Sequence, residues 1–131
     1  QRKRLQEHFS RKILLEPRGV VVSSADEIFI GRIAAAIEEN IASETLGVEF
    51  LSSHIGFSRV QLYRKIKALT GGSVQTLIRN YRLKMAAKLL AGSYGTVSEV
   101  AFASGFNNLS YFTRCFHDAF GKLPSEFRKN S

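Results

Sequence analysis

From Ser24 onward, apolar residues recur at helical rather than alternating intervals. Ile30, Ile33, Ala34, Ile37 and Ile41 fall three and four apart, which predicts an amphipathic helix opened by the capping pair Ser24 and Glu27. Val48, Leu51 and Ile55 predict a short helix ending at Gly56. Ser58 and Gln61 form a second capping pattern, with Val60 or Leu62, then Ile66 and Leu69, inward up to Gly71-Gly72. Val74, Leu77, Ile78, Tyr81, Met85 and Leu89 predict one apolar face sustained for about five turns, until Gly92 and Gly95. Thr96 and Glu99 repeat the capping pattern ahead of Val97, Val100 and Ala101. Phe112, Phe116 and Phe120 then stand at i, i+4 and i+8 of a helix over 108–120, and Pro124 suits the first position of a last short one. No segment alternates with period two for long enough to make a strand, so the expected fold is all-α with about seven helices.

Part of this pattern occurs twice. Leu51-Ser52 and Gly56-Phe57 align with Val100-Ala101 and Gly105-Phe106 at an offset of 49. Leu62, Arg64, Ile66 and Gly71 align with Phe112, Arg114, Phe116 and Gly121 at an offset of 50. Each copy is a short helix, a glycine turn and a longer helix, the helix-turn-helix layout. The small residue at 52 or 101 lets the helices approach, and the following Phe anchors the turn. The second helix of such a unit can enter the DNA major groove, so its outward residues are the candidate contacts. In the first copy these are Arg59, Val60, Tyr63, Arg64 and Lys67. In the second they are Asn107, Asn108, Ser110, Tyr111, Arg114 and His117. Guanidinium, amide and hydroxyl groups read base edges or hold phosphates. The alternatives are surface or ion-paired arginines, asparagines that serve as N-caps, and a tyrosine that packs. The connecting segment 73–91 is about 28 Å long as a helix, against the ~34 Å between successive major-groove faces.

Charge sharpens this picture. The net charge is +8, but residues 1–24 hold six basic and two acidic residues, and 25–49 hold one basic and six acidic. From Phe50 to Ser98 there is no Asp or Glu, while Arg59, Arg64, Lys65, Lys67, Arg79, Arg82, Lys84 and Lys88 all occur there. Such a stretch suits a polyanion and predicts a salt slope of order −5 to −7 if six to eight phosphates are neutralised. Arg82 is a candidate for either an internal salt bridge or a phosphate. The single Cys115 rules out an internal disulfide framework and a cysteine-built zinc site. His8, His54 and His117 have no clustered partner, so no metal, cofactor or catalytic site is expected. No apolar run spans a membrane, which fits a cytoplasmic segment.

The block from Val97 to Arg128 resembles the signature of the AraC/XylS family of bacterial transcription regulators. The matching residues are Val100-Ala101, Gly105-Phe106, Ser110-Tyr111-Phe112, Arg114, Phe116, Gly121, Pro124 and Phe127-Arg128. "YRLKMAAKLL" is similar to that family's linker helix. The resemblance covers residues 26–130. It implies two helix-turn-helix lobes (25–72 and 96–131) joined by the long helix 73–91, binding double-stranded DNA as the output domain of a regulator. His117 stands where the family commonly has Lys, and Ser52 where Ala is usual. Those departures weaken one phosphate contact and loosen one helix packing. Residues 1–24 read as a linker or the cut end of an upstream domain. They resemble the link after the receiver domain of response regulators and hybrid sensors. The rival reading has one lobe on DNA and the other contacting RNA polymerase or a dimer partner.

Overall fold

The computed structural model describes residues 23–129. Seven helices and no strand occur among them: α1 (Ser24–Glu39), α2 (Val48–Ile55), α3 (Arg59–Thr70), α4 (Val74–Ala91), α5 (Val97–Ala103), α6 (Leu109–Phe120) and α7 (Pro124–Lys129). The linker expectation for residues 1–24 falls, apart from Ser23 and Ser24, outside the described residues.

Local chemistry sets the helix starts. Ser58 and Gln61 form a complete capping box, with Gln61 N–H donating to Ser58 Oγ at 3.1 Å and Ser58 N–H donating to Gln61 Oε1 at 3.0 Å. Thr96 and Glu99 do the same for α5 at 3.1 and 2.7 Å. The cap expected at Ser24 moves by one residue. Ser23 caps α1 by accepting from the Asp26 N–H at 3.1 Å, so Ser24 becomes the first helical residue. Gly56 and Gly71 end α2 and α3 in the left-handed region, at φ 85° and 79°, where a side chain would be strained.

Two separate cores form. Phe29, Ile33, Ile37, Leu51, Leu62 and Ile66 bury one with the first half of α4, through Val74, Leu77, Ile78 and Tyr81. Val100, Phe106, Phe112, Phe116, Phe120 and Phe127 bury the other with the second half of α4, through Leu83, Ala86, Ala87 and Leu90. At about 100° per residue these two sets centre about 180° apart on α4. The single face expected from the sequence is therefore two opposed faces in succession. Met85 and Leu89 are half-buried as a result, and Ala86, Ala87 and Leu90 take the interior.

The repeat extends further than the sequence comparison carried it. At the same offset of 50, Val74 and Leu77 on the first turn of α4 match Pro124 and Phe127 on α7, and all four are buried. Each lobe is thus closed by a helix that follows its Gly71 or Gly121 turn. Arg128 on α7 secures the second lobe by donating to the carbonyls of Tyr94 and Gly95, beyond the end of α4. Ser52 does more than substitute for a small residue. Its hydroxyl donates to the Phe57 carbonyl and staples the first turn.

Candidate nucleic-acid interface

The surface begins with the helix register. On α3, Leu62 and Ile66 are fully buried, which turns Arg59, Val60, Tyr63, Arg64 and Lys67 outward, and all five are exposed. At about 100° per residue they share an arc of about 140°. Lys65 points the other way. Its ammonium donates to Asp26 Oδ1 at 3.0 Å and sits 5.3 Å from the Phe29 ring centroid, so it belongs to the α1–α3 seam. The hydrogen bond from Lys65 is the main cause that holds the Asp26 carboxyl below its ordinary value of 3.8, and the Ser23 hydroxyl adds to it.

On α6, Phe112 and Phe116 occupy the places of Leu62 and Ile66 and are likewise fully buried. Ser110, Tyr111, Arg114 and His117 are exposed, as are Asn107 and Asn108 just ahead of the helix. The equivalence is position by position: Val60 with Ser110, Arg64 with Arg114, and Lys67 with His117. The caps correspond too. Asn108 Oδ1 accepts from the Tyr111 N–H at 2.8 Å, as Ser58 Oγ does from Gln61. The Asn108 carbonyl is therefore committed to the backbone, and its amide group is left to donate elsewhere.

Tyr111 lies tilted against Phe106 at 6.1 Å and carries the Arg114 guanidinium 5.7 Å above its ring. That contact holds the arginine over a defined patch of surface without neutralising it. Leu109, Ser110, Thr113, Arg114, His117 and Leu123 together line a shallow groove. The two helices differ in charge. α3 carries Arg59, Arg64, Lys65 and Lys67 with no acid, whereas α6 carries Arg114 and Asp118.

Among the described residues Arg82 makes no salt bridge. Its Nε donates to the Ile41 carbonyl at 2.9 Å and its Nη2 to the Ser43 carbonyl at 3.0 Å. Sequence reasoning missed this use because both partners lie about forty residues away. Cys115 is buried in the second core. Phe57, the Phe that anchors the first turn, is half-buried and lies tilted against Phe29 with ring centroids 5.4 Å apart. Among the described residues no group of three or more His, Cys, Asp and Glu could hold a metal, and no helix is long and apolar enough to cross a membrane.

Two like-built lobes, each turning an arginine-bearing helix outward, match known proteins along most of their length. The helix-turn-helix domain family matches residues 51–130. The chain belongs to the AraC-type helix-turn-helix family. It is a DNA-binding domain of the transcription-regulator class. It is 34% identical over 105 residues to the HTH-type transcriptional activator RhaR of Pectobacterium atrosepticum, covering 80% of this chain and 37% of that protein. It is 34% identical over 127 residues to histidine kinase P4 of Formosa agariphila, covering 97% of this chain and 9% of that protein. The chain thus spans well under half the length of either relative. The C-terminal domain of AraT, a response regulator from Geobacillus stearothermophilus, superposes with a TM-score of 0.71 at 26% identity, over 86% of this chain and 89% of that one.

Proposed function

We propose that α3 and α6 enter successive major-groove segments of one DNA duplex, so that a single chain reads two half-sites. The observation that carries this reading is the equivalence at an offset of 50. It puts Arg64 and Arg114 at the same outward place on two helices whose inward residues are both fully buried. In this reading Arg64 reads a guanine edge, and Val60 and Ser110 meet base edges near the helix starts, where such helices approach the groove floor. Arg114 serves the second groove, steered by Tyr111. Arg59, Lys67 and His117 hold phosphates, with Tyr63 and the Asn107 and Asn108 amides as further polar contacts. Binding, without catalysis, is the whole task of this segment.

The match to a histidine kinase extends over 97% of the chain, so it includes residues ahead of Ser23. Together with the response-regulator neighbour, it supports a place downstream of a receiver domain in a two-component protein. Engagement of RNA polymerase by the intact regulator extends the same reading, drawn from the role of RhaR as a transcriptional activator.

Selection of bound duplexes from a random pool tests the reading. Two preferred blocks, centred about one helical turn apart, are expected. A single block of preference would leave one lobe without a groove and overturn it.

A further inference from the structure

Three segments distant in sequence meet at the middle of α4. Arg82 stands where that helix changes allegiance, between Tyr81 of the first core and Leu83 of the second. Its guanidinium reaches back to lobe one and donates to the Ile41 and Ser43 carbonyls in the turn after α1. The turn of lobe two rests on the same spot. Gly105, at φ 103°, is backed so closely against the Ile41 carbonyl and the Arg82 side chain that a Cβ there would collide with both. Gly105 lies only four residues ahead of the first residue of α6. A small rotation at this junction therefore swings a reading helix.

We propose that Arg82 is a positioning residue that clasps lobe one to lobe two and fixes the half-site separation the chain accepts. The proposal rests on the two-groove reading above. α4 by itself is a rod about 27 Å long, and a tilt of about 10° at one end displaces the other by about 5 Å. That exceeds the ~3.4 Å rise of one base pair, so spacing selectivity needs a fixed junction as well as a fixed length. Two directed hydrogen bonds from a planar guanidinium resist both rotation and tilt, and they satisfy two carbonyls at the interlobe contact. Burial disfavours the charged form of this arginine, and both of its hydrogen bonds run to neutral backbone carbonyls.

The test uses the whole chain with duplexes whose half-sites are separated by the selected spacing, or by one or two base pairs more or fewer. One further duplex has the second half-site scrambled. Wild type is expected to lose at least tenfold in affinity at two base pairs from the optimum. Arg82→Ala is expected to lose less than about threefold there, while its affinity for the one-half-site duplex stays within about twofold of wild type. Arg82→Lys, which keeps the charge but replaces the planar two-nitrogen fork with a single ammonium, is expected to give a profile of intermediate width. It is the variant to be read by the same criterion if Arg82→Ala lacks a helical circular-dichroism spectrum. An unchanged spacing profile, or an equal loss on every duplex including the one-half-site probe, would overturn the clasp. Wild type binding one half-site as tightly as two would overturn the two-groove reading, and the clasp with it.

Discussion

Raising the salt concentration separates cations that face DNA from those the fold has already used. Eight occur between residues 50 and 98, but Lys65 is paired with Asp26, and Arg82 is spent on the Ile41 and Ser43 carbonyls. Among the described residues, no ion pair or side-chain hydrogen bond engages the other six. On the reading helices three of these, Arg59, Arg64 and Lys67, are exposed, and α6 adds the exposed Arg114, which makes four. At about 0.9 counterion per phosphate, four to six neutralised phosphates give a slope of log affinity against log salt of about −3.6 to −5.4. That is shallower than the sequence alone suggests. Fluorescence anisotropy of a labelled duplex between about 100 and 400 mM KCl measures it. Lys67→Ala should make the slope shallower by about 0.9, whereas Lys65→Ala should leave it unchanged. Equal slope changes in the two variants would refute the division into free and engaged cations. A wild-type slope shallower than about −2 would refute the electrostatic account altogether.

Arg64→Ala should cost about 1–3 kcal/mol on the selected site and relax preference at one base position, measured by competition against single-base variants. Phe116 is fully buried, with ring centroids 5.7, 4.6 and 5.3 Å from Phe112, Phe120 and Phe127, so Phe116→Ala should destabilise the second lobe by about 3–5 kcal/mol in urea denaturation. The Asp26 carboxyl titrates below 3.8 in the folded chain, so its contribution is present above that pH and is lost as pH falls through the lower folded value. Asp26→Asn should therefore flatten the dependence of stability on pH below about 4, seen as an acid melting series less steep than wild type's.

The parts of the fold that were legible in the sequence are those set by neighbours a few residues apart. The capping boxes at Ser58 and Thr96 and the left-handed glycines at 56, 71 and 121 fall into this class. The outward register of Arg64 and Arg114 followed from the burial of the residues two positions to either side of each. The long connecting helix was legible as a helix but not in its facing. Its two cores lie on opposite sides, and a hydrophobic pattern that serves both loses its single period. Lys65 and Arg82 were readable only as charges. Their partners lie 39 to 41 residues away, and only the folded lobes bring Asp26 and the Ile41 and Ser43 carbonyls within reach. Asn108 stood between cap and contact, and the 2.8 Å bond to the Tyr111 N–H shows that its carbonyl caps the helix.

Guanine methylation interference on a selected duplex, with the chain verified as monomeric by sedimentation, tests the central claim most directly. It reports N7 in the major groove, the edge at which the two helices are expected. The account predicts two clusters of interfering guanines on one face of the duplex, centred about 10–10.5 base pairs apart, with the cluster under α3 weakened by Arg64→Ala and the other by Arg114→Ala. One cluster alone, or a second that appears only when a second chain binds, would contradict it.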